Sequence, residues 1–471
     1  MRAMSTTSDT AGLGALREGF RGRLVEPHDD EYDDVRVLFN AMVDRRPAVI
    51  AQCDGVDDVA AAIRFARAGE LPLAVRGGGH SVAGASLCDD GVVIDLRLLR
   101  DVEIDAERRI GRVGGGCTWG DFDPAAQAHG LATTGGRVST TGVAGLTLGG
   151  GSGWLERKYG LACENLIAVE LVTADGELIR ASPDEHSDLF WALHGGGGNF
   201  GVATAFEFRL HPIDPEVFVL FAIHRADRER ELLAVFREFM ATAPDEVGLA
   251  FAHFTGPEGD PTIPPELVGE PLVMFAGMYA GPAAEGERAL APLREYGPPV
   301  VDASGPMAYA DFQCSIDDPP GFRNWWTAEY LADVSDEALD LIAAHSARTP
   351  SGPSQTLIVP WGGAVARAGS DATPMAKRNA RWVVHPFALW DDPAADDAVV
   401  AWGRGFRDAL APHATAGVYL NFTGDEGEER VRAAFGEDNH RRLAAIKAKY
   451  DPDNVFRLNH NIKPAGERGG S

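Results

Sequence analysis

Three glycine clusters and one asparagine-rich segment carry the residue types best suited to hold a phosphate group. Their sequences are RGGGHS at residues 76–81, STTGVAGLTLGGGSG at 139–153, LHGGGGNFG at 193–201 and NHN at 459–461. A glycine run lets backbone N–H groups converge on an anion because no Cβ atom blocks the approach. One such cluster is as readily a set of tight turns, but three in one stretch of chain favour a phosphate-bearing ligand.

The two common phosphate-binding motifs do not explain these clusters. The pattern G-x-G-x-x-G occurs at Gly196, Gly198 and Gly201, but a dinucleotide-binding loop follows a strand and begins a helix. Here the glycines instead precede a strand-like segment, VATAFEFRL. A Walker loop needs a lysine directly after a glycine, and the chain has no such pair. Any phosphate site must therefore use a different loop.

Predicted strands and helices must position these clusters, and their order changes at Pro212 and Pro215. Before the prolines, β-rich runs alternate with the glycine clusters and with helical spacing. The strand-like runs are residues 48–52, 73–75, 91–96, 109–113, 167–172, 177–180 and 202–210. Helical spacing covers residues 13–20, 34–42, 56–67, 119–129 and 146–159. This part predicts an α+β unit.

After the prolines, the order strand, helix, strand, strand, helix predicts an antiparallel sheet with helices on one face. The strands expected there are residues 217–224, 248–254, 272–280, 356–359, 381–390 and 417–422. The helices expected there are residues 227–242, 285–296, 394–410 and 431–449.

Composition and charge exclude several classes of protein. The net charge of −27 would repel nucleic acid and anionic membranes. The five cysteines have no metal-site spacing and are odd in number, which argues against a zinc site and a disulfide framework. The N-terminal residues lack a signal peptide's apolar run, and no stretch is long and apolar enough to cross a membrane. We expect a cytoplasmic protein without a metal, nucleic-acid or membrane partner.

The sequence resembles a known family in four segments, in the same order along the chain. These are VRGGGHSVAG, STTGVAGLTLGGGSGWLERKYGL, DLFWALHGGGGNFGVAT and YDPDNVFRLNHNIKP. They are similar to the FAD-linked oxidases of the vanillyl-alcohol oxidase superfamily, in the berberine-bridge-enzyme-like branch. The resemblance implies a PCMH-type FAD-binding domain in two parts, residues 1–212 and 425–471. Between them, residues 213–424 would form a substrate domain, an antiparallel sheet covered by helices.

The same resemblance implies which residues hold the cofactor. His80 corresponds to the histidine that is bonded covalently to the flavin in the family. The pyrophosphate would lie on the N–H groups of residues 77–81, and Asn459 and Asn461 would return to the flavin ring. The full set of expected FAD-binding residues is Arg76, Gly77, Gly78, Gly79, His80, Ser81, Gly84, Gly142, Ala144, Gly145, Gly149, Gly150, Gly151, Gly198, Asn199, Gly201, Val202, Asn459 and Asn461.

One family feature is missing from this chain. Members with two covalent links carry a second anchor, a cysteine four residues before the glycine that corresponds to Gly142, and Val138 occupies that position here. Cys163 follows 25 residues later, at a position where the family has a small or polar residue. The resemblance therefore implies FAD linked through His80 alone.

The resemblance also suggests two residues for the chemistry. Tyr419, in GVYLNF, corresponds to the family's tyrosine base, and His385, in ARWVVHPFALW, to a substrate-facing polar position. Strand alternation would put His385 and Phe387 on one face, and Tyr419 and Asn421 on one face of theirs. We expect Tyr419 to take the substrate's hydroxyl proton and His385 to orient the substrate, with the base role as its alternative. Pro386 predicts an edge or a bulge beside His385.

These residues imply an FAD-dependent oxidase. A small-molecule alcohol, sugar or secondary metabolite would give a hydride to flavin N5, and oxygen would be the electron acceptor. Amine oxidation, and oxygenation or rearrangement of polyketide-like substrates, stay open as alternatives, and a flavin-binding protein without turnover is a third. Four aromatic residues could form a stacking wall for the substrate or belong to the core: Tyr309, Trp325, Trp326 and Trp361. The substrate and the oligomeric state are not determined by the sequence.

Overall fold

The first sheet positions the RGGGHS cluster. The computed structural model describes residues 9–466 apart from 319, 351, 370, 377–379 and 416. Four strands pair in the order β1-β2-β4-β3: β1 (Arg23–Val25), β2 (Val49–Gln52), β3 (Leu73–Arg76) and β4 (Val92–Asp95). The strands β2, β4 and β3 are parallel, and the helix between β2 and β3 (Val56–Ala68) packs its apolar face against the sheet. The cluster therefore begins where the buried strand β3 ends.

A second sheet carries the LHGGGGNFG cluster. Its strands pair in the order β5-β6-β10-β8-β9, all antiparallel. Their bounds are β5 (Val102–Asp105), β6 (Ile110–Gly114), β8 (Leu166–Val172), β9 (Leu178–Ala181) and β10 (Val202–Arg209), while β7 (Leu131–Ala132) pairs separately with β11 (His211–Pro212). The glycine cluster ends where β10 begins.

A third sheet is built from the middle of the chain. Its main order is β15-β12-β14-β13-β19-β20-β17, with β16 beside β12 and β18 beside β20. The bounds are β12 (Val217–Arg225), β13 (Val247–Thr255), β14 (Pro271–Tyr279), β15 (Val301–Asp302), β16 (Gly305–Met307), β17 (Arg323–Trp326), β18 (Glu329–Leu331), β19 (Gln355–Pro360) and β20 (Trp382–Trp390). All of its pairings are antiparallel.

The alternation of side chains gives this third sheet two different faces. Leu249 and Phe251 of β13 pack into an apolar cluster with helices. Ala250 and Ala252, between and after them, line a cavity on the opposite face. Because these residues are small, the sheet can bury one face and leave space on the other.

The helices complete the layers. Their bounds are α1 (Asp9–Gly19), α2 (Tyr32–Val35), α3 (Val56–Ala68), α4 (Trp119–Gln127), α5 (Val143–Leu148), α6 (Glu156–Tyr159), α7 (Ser187–Ala192), α8 (Glu229–Thr242), α9 (Ala283–Arg294), α10 (Tyr309–Cys314), α11 (Asp336–Ser346), α12 (Gly363–Arg367), α13 (Asp396–Leu410) and α14 (Glu428–Tyr450). Helices α8, α9, α11 and α13 contribute to the apolar cluster on the third sheet. The α+β class and the helix-covered antiparallel sheet are thus confirmed.

Three predicted elements differ from the structure. The helix expected over residues 146–159 is two short helices, α5 and α6, because GGGSG lies between them. The helix expected over 34–42 is limited to α2. The strand expected over 417–422 is wrong as well: residues 417–419 have no regular structure, and Leu420–Phe422 is a turn of 3₁₀ helix. This last difference changes the surroundings of Tyr419.

Candidate active site

The three glycine clusters and the third sheet enclose one large cavity of about 1050 Å³. This volume is at the upper end of the range for small-molecule sites. The predicted residues that line it are Gly77, Gly78, Gly79, His80, Ser81, Gly142, Ala144, Gly145, Gly149, Gly198, Asn199, Gly201, Asn459 and His385. Residues far apart in the sequence therefore meet at one site.

The backbone amides of residues 77–81 are available to a ligand. None of them donates a hydrogen bond to another described residue. Buried backbone N–H groups are nearly always paired, so a ligand that covers these five would have to supply their acceptors. Consecutive free N–H groups form a concave site for an anion, which is what a pyrophosphate requires.

Close backbone packing joins the first two glycine clusters. A Cβ atom on Gly78 would lie 2.3 Å from the amide nitrogen of Gly142, and one on Gly142 would lie 2.4 Å from that of Gly78. Any side chain here would separate the two clusters. Gly145 and Gly198, in contrast, line the cavity and have no atom within 4 Å of an added Cβ. The glycines thus serve two purposes, contact between loops and open space for a ligand.

Seven predicted site residues are outside the cavity lining: Arg76, Gly84, Gly150, Gly151, Val202, Asn461 and Tyr419. The Arg76 guanidinium donates instead to the carbonyl oxygens of Val35 and Val37, at 2.5 and 2.6 Å. A Cβ on Gly84, Gly150 or Gly151 would first meet the side chain of Val43, Met375 or Ala162 respectively. Val202 is buried in an apolar cluster. These residues support the walls of the cavity from behind.

His80 lies in the cavity wall between an aromatic ring and a hydroxyl group. Its ring stacks on Phe39 with centroids 4.2 Å apart, and its Nε2 is 2.9 Å from Oγ1 of Thr140. Burial lowers the pKa of His80 to about 4. The imidazole is therefore neutral at pH 7 and keeps a nucleophilic nitrogen lone pair.

The C-terminal segment is tied to the third glycine cluster by a buried ion pair. Lys447 and Asp451 are both fully buried, with Nζ and Oδ2 2.6 Å apart. The same ammonium donates to the carbonyl oxygens of Asn199 and Phe456, at 2.7 and 2.9 Å. Asn459 donates to the carbonyl oxygen of Gly198 at 3.1 Å, and its own Oδ1 is buried without a partner in the described chain. The segment therefore closes the cavity near residues 198–199.

His385 lies on the opposite wall, in the third sheet. Its side chain is 1% exposed, and its Nδ1 is 2.8 Å from the carbonyl oxygen of Thr327. A carbonyl only accepts, so Nδ1 carries the proton and Nε2 of the neutral ring is an acceptor. Burial lowers the pKa of His385 to about 4, which keeps that form at neutral pH.

Thr327 lies at a gap between two short strands, beside Pro386 of β20. β17 pairs with β20 from Phe387 onward, and β18 pairs with it up to Val384. His385 and Pro386 face the gap between those two short strands. This interruption agrees with the irregularity that Pro386 predicted, and it frees a carbonyl to orient the His385 ring.

Tyr419 does not have the surroundings expected of a base. It is fully buried. Its hydroxyl oxygen accepts hydrogen bonds from the amides of Gly151 and Ser152, at 3.0 and 2.7 Å, and from the Asn421 amide at 3.1 Å. Burial raises the pKa of Tyr419 above its usual value. The side chain of Phe422, three residues later, lines the cavity and stacks on His385 with centroids 4.3 Å apart.

We therefore expect Tyr419→Phe to affect stability more than chemistry. The substitution leaves two buried N–H groups without their acceptor, at a cost of about 1–3 kcal/mol for each group. Thermal unfolding should occur at lower temperature, while the rate of flavin reduction by a substrate should stay within about tenfold of the wild type. A drop of more than about 10²-fold in that rate, with unchanged thermal stability, would restore Tyr419 as the base.

Of the four aromatic residues proposed as a stacking wall, only Trp326 lines the cavity. Tyr309 and Trp361 belong to the core, and Trp325 packs against Gly403 of α13. Asp317, Asp318 and Arg137 also line the cavity and were not among the residues predicted from the sequence. A pair of acids in a loop gives no signal in a single sequence, because such pairs are usually solvated.

The part of the chain that the structure describes has no candidate metal site. Its His, Cys, Asp and Glu side chains form no group of three or more that could hold a metal ion. Among the same residues, every helix is too short or too polar to span a membrane.

Comparison with known proteins identifies a cofactor. The FAD binding domain family matches residues 47–182, and the family described as "Berberine and berberine like" matches residues 418–463. (R)-6-hydroxynicotine oxidase of Paenarthrobacter nicotinovorans is 31% identical over 95% of this chain and 97% of its own length. The FAD-linked oxidoreductase pgmH of Aspergillus terreus is 32% identical, over 96% and 95%. The crystal structure of 6-hydroxy-D-nicotine oxidase from Arthrobacter nicotinovorans superimposes with a TM-score of 0.84 at 29% identity, over 94% of this chain and 98% of that one.

Proposed function

The chain belongs to the berberine-like family of FAD-linked oxidoreductases, and from this premise we propose that it is an oxidase with FAD linked covalently through His80. It would oxidise a small organic molecule and use oxygen as the electron acceptor. The names of two relatives, which describe oxidation of a hydroxynicotine, support an oxidase rather than a dehydrogenase.

The observation that carries this proposal is the arrangement around His80. The unpaired amides of residues 77–81 would hold the pyrophosphate, and the open space beside Gly145 and Gly198 would admit the rest of the cofactor. His80 belongs to the same loop, and its neutral imidazole stacks on Phe39. Val138, at the position of the family's second anchor, also lines the cavity, but its side chain is unreactive. These features fit FAD with a single link.

Bound FAD supplies a two-electron acceptor that oxygen can regenerate. The protein's part is to position the donor and to manage its proton. Phe422 stacks on the His385 ring, Trp326 contacts it edge-on, and the Thr327 carbonyl fixes its proton on Nδ1. Nε2 can then accept a hydrogen bond from an O–H or N–H group of the substrate. We assign this role to His385 because Tyr419 is directed at backbone amides.

The experiment has two readouts on the purified holoprotein. The first is the site of attachment: after acid precipitation and proteolysis, the flavin should be found on the peptide that contains His80. The second is hydrogen peroxide release during a screen of alcohols, sugars and amines, in equal amount to the substrate consumed. Flavin released completely by acid would overturn the covalent link. Substrate turnover without peroxide would overturn the oxidase assignment.

A further inference from the structure

The cavity wall has an unusual balance of charge. Five carboxylates line it: Glu258, Asp260, Asp317, Asp318 and Asp391. Arg137 is the one Lys or Arg side chain among the described lining residues. A concave wall of one sign concentrates ligands of the opposite sign. The wall of this cavity therefore favours cations and disfavours anions.

Arg137 does not offset these carboxylates, because it is already paired. Its guanidinium donates to Oε1 of Glu156 at 2.7 Å and to Oγ of Ser152 at 2.9 Å. It also lies over the ring of Trp154, at 4.9 Å from the centroid. An anionic substrate would have to compete for this guanidinium with Glu156, which is itself buried. The wall thus lacks a free cation for a carboxylate or phosphate on the substrate.

Asp318 is the carboxylate best placed to bind a cation inside the cavity. Its neighbour Asp317 accepts hydrogen bonds from the backbone N–H and the hydroxyl of Ser139. Asp318 itself has no hydrogen-bond or salt-bridge partner among the described residues. Burial, together with the charge of Asp317, raises the pKa of Asp318 to about 7. A cationic ligand beside such a group favours its charged form, so cation binding and ionisation of Asp318 reinforce each other.

The remaining cavity groups suit an organic cation. The buried His385 offers an acceptor atom, Nε2, that has no partner among the described residues. Trp326, Phe387 and Phe422 contact the His385 ring, and the faces of aromatic rings attract positive charge. Acceptors and aromatic faces together match a protonated amine on an apolar skeleton.

We propose that the substrate is an organic cation, a protonated amine, that binds with its positive charge at Asp318. This inference rests on the proposed function, since it names the substrate class of the same cavity. The three outer carboxylates, Glu258, Asp260 and Asp391, are exposed and raise the local concentration of such a ligand at the cavity mouth.

The test is a calorimetric titration of the holoprotein with three probes of similar size: phenyltrimethylammonium, benzyl alcohol and phenylacetate. The variants are Asp318→Asn and, as a control, Glu107→Gln. Glu107 lies in the exposed turn between β5 and β6, outside the cavity lining, and its substitution removes the same charge. The control separates the local carboxylate from the protein's net charge.

We expect the wild type and Glu107→Gln to bind the cation in preference to the other probes, with an affinity that falls as salt is added. Asp318→Asn should weaken cation binding by roughly tenfold or more, the value of one charge-assisted contact, and leave benzyl alcohol unaffected. Equal cation affinity in wild type and Asp318→Asn would overturn the inference, as would phenylacetate binding as tightly as the cation. These titrations need neither turnover nor a covalent flavin, so failure of the proposed function would be seen separately, as flavin lost in acid or absence of peroxide.

Discussion

Acid-precipitated wild-type protein is expected to stay yellow, and His80→Ala protein to release all of its flavin under the same treatment. The substitution removes the nitrogen that would be bonded to the cofactor but leaves the amides of residues 77–81 in place. The folded variant should therefore still bind FAD without a covalent bond. We expect its turnover to fall, by up to about 10²-fold, because the flavin is less well fixed and loses the rise in potential that the covalent bond would give. Absorbance of the acid pellet and the flavin midpoint potential are the measurements.

Cys163→Ala is the matched control for this prediction. Cys163 is fully buried and lies outside the cavity lining, so its loss should leave the covalent flavin unchanged. An adduct that contains Cys163 would show that the second anchor had been assigned to the wrong position. Unchanged potential and unchanged turnover in His80→Ala would contradict the proposed link and make His80 a structural residue.

The strands and helices with clear periodicity were predictable from the sequence. The alternation in residues 248–254 and 381–390 predicted strands, and it placed His385 and Phe387 on one face, where the structure has them lining the cavity. This worked because short β-rich runs are typical of strands, and successive side chains of a strand point to opposite faces. The break in rhythm at Pro212 was visible for the same reason, since β11 ends there and β12 begins the third sheet five residues later. The residue boundaries of the domains stay a prediction.

The roles of individual glycines were not predictable from local sequence. Gly145 and Gly149 belong to one cluster and read alike, but a Cβ on Gly145 would meet nothing, and one on Gly149 would lie 2.0 Å from Oδ1 of Asn421. Asn421 comes from a segment nearly three hundred residues away. Only the folded chain distinguishes a glycine that makes room for a ligand from one that makes room for another loop.

The strand expected around Tyr419 was wrong for a related reason. The motif GVYLNF has the alternation of a strand, but its residues 417–419 have no regular structure. The hydroxyl oxygen of Tyr419 accepts hydrogen bonds from the backbone amides of Gly151 and Ser152. These two amides make no hydrogen bond within a helix or a sheet, because GGGSG interrupts the helix predicted over residues 146–159. A wrong element boundary in one part of the chain therefore bears on Tyr419 in another, whose role as the base stays a prediction.

Loss of the His385 acceptor should have the largest kinetic effect of any single substitution in the cavity. We expect His385→Asn to slow anaerobic reduction of the flavin at saturating substrate by roughly 10²–10⁴-fold, the range for loss of a proton acceptor. The new amide can still donate to the Thr327 carbonyl in place of Nδ1, so the sheet should remain intact, but it is too short to replace Nε2. His385→Gln, which can place its side-chain oxygen near that position, should recover part of the rate. Stopped-flow absorbance measures this step, and reoxidation by oxygen should be nearly unchanged.

The pH dependence supplies an independent check on His385. Its pKa in the folded protein, about 4, lies below the ordinary value of about 6.5. The neutral ring thus stabilises the fold fully above about pH 6.5, and this contribution is lost as the pH falls toward 4, by roughly 1.4 kcal/mol per unit. As the pH is lowered from about 6.5 to about 4, the melting temperature of the wild type should fall more steeply than that of His385→Asn. The wild-type rate of flavin reduction should not titrate with this histidine near pH 6.5, because the ring is already neutral there. If His385→Asn reduces the flavin at the wild-type rate, His385 is not the acceptor, and the proton must leave the substrate by another route.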